Sequence, residues 1–392
     1  MTFQYRLSIT ALPDPYPIYK AMRDGDPAHY SAAEDLWVLT RFDDCRAALG
    51  SWQTWSSQRR GNLVNNLPDR IGKTLGTTDP PKHTVARQLI NASFTPRVVA
   101  DLEPTIRAHA RRLNRRAKDL GTFDYVHEIA APLNAVVLGA MFGIPEDQFR
   151  QLQGWLDDFF LREEAAPGRE PRQVVAMREL RTYVTALADE RRRAPGNDLL
   201  SAMLGAEDSG VRLDLEQVVV TTMTFLGAGF ESQNNLFTNM VHALATHPQV
   251  RAEATAEPAL IARCVEETMR WDSAAQGFVR SPTHDVELHG KVIPTNAQVY
   301  VHYGAANRDE RRIPDPDRFD PHRFDPGRAS VRHLGLGHGT HFCIGAPLAR
   351  LLGRVAFEEL LPLANRFDID LANAVRVTTL NFRGFFHLPL AI

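Results

Sequence analysis

Leu334-Gly335-Leu336-Gly337-His338-Gly339-Thr340-His341-Phe342-Cys343-Ile344-Gly345-Ala346-Pro347-Leu348-Ala349-Arg350 sets four glycines around one cysteine. Glycine opens backbone angles closed to other residues and lets the main chain come close to a flat ligand, as a loop beneath a large planar cofactor requires. After the cysteine, Pro347 suits a first helical turn, and Leu348, Leu351, Leu352 and Val355 recur at the spacing of one buried helix face. Cys343 is therefore expected at a helix N-terminus. There, free N–H groups and the positive end of the helix dipole favour the thiolate, the form that binds a metal. Read alone, the loop also admits a buried structural cysteine or a zinc site with His338 and His341. A phosphate loop is set aside, because the dinucleotide fingerprint follows a strand in a βαβ unit and ends on a different glycine spacing.

The rest of the chain bounds the class. Its 392 residues offer ample core for an internal cofactor, and 44% hydrophobic with 23% charged residues is ordinary for a globular protein in water. Lys plus Arg number 45 against 47 Asp plus Glu, so a net charge of -2 gives no global attraction to nucleic acid or to an anionic membrane. Pro13, Pro15 and Pro17 would break a signal-like helix before it began. The most apolar window, 130–144, is too short for a membrane span and is interrupted by Pro132 and Asn134, so it reads as a buried core helix. These features lead us to expect a cytoplasmic protein with neither a nucleic acid nor a membrane as partner. Cys45, Cys264 and Cys343 are odd in number and far apart, and outline neither a disulfide framework nor a paired zinc pattern.

From Pro96 to about Asn365 the dominant signal is helical, as in Val174, Met177, Val184 and Leu187, spaced to fall on or near one face. Short β-like runs occur at 36–40, 299–302 and 375–380. The expected fold class is mainly α with small β-sheets, as a single domain over 1–392 with β-rich parts near 27–60, 280–320 and 375–392. Between 306 and 328, Pro314, Pro316, Pro321 and Pro326 mark a long ordered loop, which is usually functional.

Other stretches carry chemistry. In Asp79-Pro80-Pro81-Lys82-His83-Thr84-Val85-Ala86-Arg87, His83 and Arg87 are four apart, share a helix face and can converge on one carboxylate. Gly227-Ala228-Gly229-Phe230-Glu231-Ser232 lies inside a long apolar segment from about Leu215 to His247. Two glycines within a helix cost about 1 kcal/mol each relative to alanine and ask for a reason. Phe225, Ala228, Gly229 and Ser232 share one face, which leaves room either for a ligand beside one hydroxyl or for close helix packing.

The cysteine loop resembles the signature of cytochrome P450 enzymes, in which a Phe, two glycines, a basic residue, the Cys and another Gly keep fixed spacing. Leu336 stands where the family usually has the Phe. The stretch from Asp79 with Phe94-Thr95-Pro96 resembles the family's third helix, and Gly227 to Ser232 its oxygen-activating helix. Glu267-Thr268-Met269-Arg270 with Pro316-Asp317-Arg318-Phe319 resembles its buried ion-pair triad. The resemblance runs from about residue 79 to Arg383-Gly384.

It implies the cytochrome P450 fold, a triangular helical body beside a small β-rich region. It implies haem b with Cys343 as axial iron ligand, His83, Arg87, Arg280 and His341 on the propionates, and Ala228 and Gly345 among the residues that bind the cofactor. Glu231 and Ser232 take the acid and alcohol positions of oxygen activation, with serine where threonine is common. Glu267, Arg270 and Arg318 form the triad. Phe225, Phe230, Gln276, Phe382 and Phe385 line a substrate pocket, together with parts of 56–76 and Phe159-Phe160-Leu161. The implied activity is that of a monooxygenase inserting one atom of dioxygen into a medium-sized, partly hydrophobic substrate such as a secondary metabolite or aromatic compound. The sequence holds no flavin or nicotinamide fingerprint and no iron–sulfur cysteine cluster, so a ferredoxin and its reductase are the expected electron donors to a monomeric enzyme. Arg111, Arg112, Arg115, Arg116, Arg350 and Arg354 are available to dock such an acidic partner. Oxidative coupling, rearrangement or peroxide-driven chemistry is the alternative activity that Ser232 leaves open. A haem gas sensor is disfavoured because a sensor needs no proton-delivery pair.

Overall fold

The computed structural model describes residues 5–63, 71–160, 170–208, 210–328, 331–364, 366–378 and 381–392. Helices dominate it. The longest, Leu215–Thr246, starts at a reciprocal capping box in which Asp214 and Gln217 each accept the other's backbone N–H. Its 32 residues span about 48 Å at the rise of an α-helix, and apolar side chains on most of its circumference place it through the centre of the core. The 130–144 window is buried as expected: a π-helical turn, Val126–Ala130, runs into the helix Ala131–Met141, which packs on the long helix. Of the residues expected on one face of the helix Arg172–Arg193, Val184 and Leu187 are buried and Met177 packs on the core, but Val174 is exposed. It stands in the first turn, and the buried stripe begins at Ala176.

Two of the expected strands fall at Leu36–Leu39 and Val299–His302, and they pair in parallel with Val299 opposite Trp37. They lie inside a five-stranded sheet ordered Ala28–Ser31, Leu36–Leu39, Val299–His302, Gly277–Pro282, Trp55–Ser56. Val299 also faces Arg280 across an antiparallel pair, and this register sets Arg280 beneath the core. Of the 375–380 run only Val375–Arg376 is a strand, paired with Phe385–His387, and residues 379–380 lie outside the described residues. The Pro-rich 306–328 segment is ordered over its whole length, with a single turn of 3₁₀-helix at Pro321–Phe324.

Distant segments are tied together by buried charge. Asp272, at the end of the helix Ala259–Trp271, accepts from Tyr16 Oη at 2.6 Å and from Arg383 Nε at 2.8 Å. The remaining nitrogens of Arg383 donate to the carbonyls of Thr10, Leu12 and Pro13. Arg383 is 1% exposed and Asp272 equally so, and a fully hydrogen-bonded pair is what makes such burial tolerable.

Candidate active site

Cys343 lies between the 3₁₀ turn Gly339–His341 and the helix Ala346–Leu360, whose first turn contains Pro347 as expected. Its own N–H donates to Leu336 O at 2.9 Å, and Gly337 N donates to Leu334 O at 2.8 Å, closing the loop on itself. Gly337 and Gly339 have φ of 72° and 67°, the region that glycine enters without strain. Gly339 also packs so tightly that a Cβ there would lie 2.6 Å from Leu49 O, and one on Gly335 would fall on Met269 O. The N–H groups of Gly345 and Ala346 point at Cys343 Sγ and, with Arg87 and Arg350, favour the thiolate. Burial outweighs them and pushes the thiol up.

One turn into that helix, Arg350 Nε donates to Glu266 Oε1 at 2.5 Å, while His333 Nε2 lies 3.1 Å from Glu266 Oε2. These contacts hold the Glu266 carboxyl down at about 2, against its burial, and tie both flanks of the cysteine loop to the helix Ala259–Trp271.

Above the loop, four residues that can carry positive charge converge. His83 and Arg87 stand on the helix Lys82–Ser93, Arg280 on its strand and His341 in the loop. The imidazoles of His83 and His341 are 4.4 Å apart. Both ring nitrogens of His83 and Nε2 of His341 are buried without a hydrogen-bond partner among the described residues. Burial first, and then the neighbouring cations, hold His83 down at about 4 and His341 at about 2. Arg87 does not lean on His83's partner as a simple pair would. Its two Nη atoms donate to Thr340 O and Phe342 O, at 3.0 and 2.7 Å, and clamp the cysteine loop. Orphaned buried nitrogens cost about 1–3 kcal/mol each, and a dianion would satisfy them. The two propionates of a haem whose iron meets Cys343 Sγ fit this donor set.

On the long helix Ala228 is solvent-accessible between buried neighbours Leu226, Gly227 and Phe230, so its face is the open one. Ser232, one turn on, is half-buried and donates from Oγ to Ala228 O at 2.7 Å. Glu231 is half-buried beside it. Phe225 lies on the same face, also half-buried.

Three of the five expected pocket residues point elsewhere. Phe230 is 3% exposed and sits in the core, because two residues beyond Ala228 is about 200° around a helix. Gln276 is fully buried, donating from Nε2 to Ser273 O at 2.7 Å. Phe385 is buried under the guanidinium of Arg376, 3.7 Å from its ring centre. Phe382 is half-buried, edge-on to Phe278 at 6.0 Å. Leu161 and residues 64–70 lie outside the described residues, as does the side chain of Phe160.

The triad also needs correction. Glu267 and Arg270 are paired and fully buried, but the second arginine beside Glu267 is Arg323, with Nε 3.5 Å from Oε1. Arg318 has an exposed side chain and contributes its carbonyl, which accepts from Arg270 Nη2 at 3.1 Å. The turn Pro321–Phe324, which brings Arg323 inward, follows the Pro316–Phe319 stretch by two residues.

The zinc reading of the loop finds no support. Among the described residues the one group of His, Cys, Asp and Glu side chains close enough to hold a metal ion is Asp124, His127 and His387. There Asp124 Oδ2 accepts from both imidazoles, and its other oxygen accepts from the N–H groups of Val126 and Leu388. Most of the arginines expected to dock a redox partner already have partners. Arg111 is paired with Glu359, Arg116 with Glu128, Arg350 with Glu266, and Arg354 with Glu358 and Glu103. Arg112 contacts His109, and Arg115 is exposed. No local pattern marks Glu266, His333 or Asn134, whose partners are far away along the chain; for Arg323 the adjacent Phe324 echoes the Arg-Phe pair at Arg318.

Known proteins are similar to this chain in sequence and fold. The sequence profile of the family described as cytochrome P450 matches residues 172–386. The vitamin D(3) 25-hydroxylase of Pseudonocardia autotrophica is 34% identical over 97% of this chain and 94% of its own. The 6-deoxyerythronolide B hydroxylase of Saccharopolyspora erythraea is 31% identical over 97% and 96%. The structure of CYP109E1 from Bacillus megaterium in complex with corticosterone superposes with a TM-score of 0.87 at 27% identity, covering 96% of this chain and 98% of that one. The chain belongs to the cytochrome P450 family, and it has that family's fold and haem-thiolate cofactor. Its activity is that of a monooxygenase. No helix among the described residues is long and apolar enough to cross a membrane.

Proposed function

We propose that the chain, acting as one domain, inserts one atom of dioxygen into a medium-sized, largely apolar substrate of the polycyclic or macrocyclic kind, with haem b as cofactor. The observation that carries this reading is the cluster of orphaned His83 and His341 nitrogens with Arg87 and Arg280, set above a cysteine to which two backbone N–H groups point. When bound, the haem supplies reductive activation of dioxygen, in which two electrons and two protons convert one oxygen atom to water while the other enters the substrate. Cys343 would donate electron density to the iron as thiolate, which favours O–O cleavage. Arg87, Arg280, His83 and His341 would hold the two propionates, and Arg87 would at the same time keep the cysteine loop shut through Thr340 O and Phe342 O.

Ser232 holds a proton at Oγ, on the open face beside Ala228, and Glu231 carries the carboxylate next to it. Both would pass protons towards the oxygen site. By their names the relatives hydroxylate vitamin D(3) and 6-deoxyerythronolide B, and one neighbour is complexed with corticosterone, which supports a substrate of that size. Phe225 and Phe382 remain the aromatic residues placed to meet it. Electrons come, in this reading, from a ferredoxin and its reductase in the cytoplasm. Arg112 and Arg115 are the members of the arginine set that have no carboxylate partner among the described residues and would meet an acidic donor.

The test is a pair of measurements. Reduced protein under carbon monoxide should show the strongly red-shifted band of thiolate-bound haem, and Cys343→His should abolish it. With isotopically labelled dioxygen, one labelled atom should enter the product. A band without labelled product would favour the second reading, oxidative coupling or rearrangement, to which the Ser232 hydroxyl points because it is already bound to a backbone carbonyl.

A further inference from the structure

Three consecutive carbonyls of the long helix, those of Ala228, Gly229 and Phe230, each accept a side-chain donor. Ser232 Oγ serves Ala228 O at 2.7 Å, from the open face. The other two are served from behind by one residue, Asn134, whose Nδ2 lies 2.8 Å from Phe230 O and 3.3 Å from Gly229 O. The same nitrogen is 3.3 Å from Asn234 Oδ1. Asn134 belongs to the helix Ala131–Met141 and is 1% exposed, so this amide has no water to turn to.

The approach that makes this contact depends on Gly229. A Cβ there would lie 3.1 Å from Leu138 Cδ2, and Leu138 stands one turn after Asn134 on the same helix face. The glycine pair inside the long helix thus serves both readings that its sequence left open. Ala228 faces open space, whereas Gly229 lets the neighbouring helix come close enough for an amide to reach the backbone.

A carbonyl has two lone pairs, and in this helix one of them already faces the N–H four residues on. A second, buried donor fixes the plane of the peptide unit. The unit that begins with Phe230 C=O ends in the N–H of Glu231, and Ser232 follows one residue later. We propose that Asn134 is a positioning residue for proton delivery, locking the two peptide units on either side of Phe230, the second of which ends at Glu231, and so fixing the helix backbone one residue before Ser232. This rests on the reading of those two residues as the proton-delivery pair. Asn134 would make up, from the far side of the helix, for the rotamer stiffness that serine lacks relative to a branched alcohol.

The test uses the haem-loaded enzyme with a ferredoxin, its reductase and NADPH, without substrate. Dioxygen then leaves either as peroxide, with two electrons and two protons, or as two waters, with four of each. Asn134→Leu keeps the volume and removes the donor. It should raise the peroxide formed per NADPH at least twofold, and amide deuterium exchange at 230–234 should quicken several-fold while the carbon monoxide band stays in place. Leu138→Ala thins the same helix contact by packing alone and should leave the peroxide share unchanged. Gly229→Ala wedges the helices apart without touching Asn134 and should act in the direction of Asn134→Leu. Equal peroxide shares for Asn134→Leu and wild type, or an equal rise in Leu138→Ala, would overturn the proposal. If Ser232→Ala also leaves the share unchanged, the proton-delivery reading itself has failed, and if Ser232→Ala alone raises it, only the role of Asn134 has.

Discussion

Glu267 and Arg270 face each other through two hydrogen bonds of 2.7 Å, and neither side chain reaches solvent. The remaining donors of Arg270 hold the carbonyls of Asn307, Pro316 and Arg318. The pair is therefore the peg on which the Pro-rich loop hangs. Removing Arg270 leaves a buried carboxylate, so Arg270→Ala should cost about 3–5 kcal/mol in denaturant unfolding. Arg323→Ala should cost about 1–3 kcal/mol. Arg318→Ala, by contrast, should stay within about 0.5 kcal/mol of wild type, since that side chain is exposed. Equal costs at 318 and 323 would contradict the assignment of the second arginine.

His83 offers a test in which the loaded and unloaded proteins should disagree. Its two ring nitrogens are buried without partners. Replacing it by leucine removes that penalty, so apoprotein stability should hold or rise by about 1 kcal/mol. Haem affinity should fall about ten- to hundredfold, the equivalent of about 1.5–3 kcal/mol for a charge-assisted hydrogen bond. Thermal unfolding with and without haem reads the first effect, and haem transfer to an acceptor globin reads the second.

Glycine substitutions should separate loop geometry from general tolerance. Gly339→Ala meets both a positive φ and Leu49 O, and should cost several-fold in haem content at equal expression. Gly25→Ala, where nothing lies within 4 Å, should be neutral. Absorbance of the Soret band per unit protein decides between them.

The Asp124, His127 and His387 group gives the protein a pH signature. Its hydrogen bond to Asp124 raises His127 above 6.5, so its contribution is whole below 6.5 and is lost as pH rises through the higher folded value. Asp124, although burial opposes it, is held down at about 2, so its contribution is present above 3.8 and vanishes as pH falls through about 2. Nearby, burial lifts Asp157 from 3.8 to about 6, so stability falls as pH rises across that interval. In chemical unfolding followed against pH, His127→Gln should flatten the decline above 6.5. Asp157→Asn should flatten the decline between 3.8 and 6.

What the sequence disclosed, and what it hid, divides by distance along the chain. The cysteine loop, the His83 helix and the glycines of the long helix were legible because turn chemistry and helix periodicity act within a few residues. Phe230 was misjudged because a helix buried almost all round has no polar face to set its phase, so the open side shows only once Ala228 is seen to be exposed. Arg323 was missed because nothing periodic governs the loop that carries it. Asn134 looked like an interruption of an apolar run, and its acceptors are 95 and 96 residues away. Arg350 and Arg354 counted as free charges in the sequence, and folding neutralised them with Glu266, Glu358 and Glu103.

Arg383 gives this chain an order of assembly. It donates to the carbonyl of Thr10 across a separation of 373 residues and to the side-chain carboxylate of Asp272 across 111. The segment at Thr10–Pro13 can take up these hydrogen bonds only after residue 383 has been synthesised. Until then Asp272 lacks its principal counter-charge. Contacts of such sequence separation close late in folding, so the N-terminal segment is among the last parts of the molecule to be fastened, and the half-made chain is exposed to aggregation until it is.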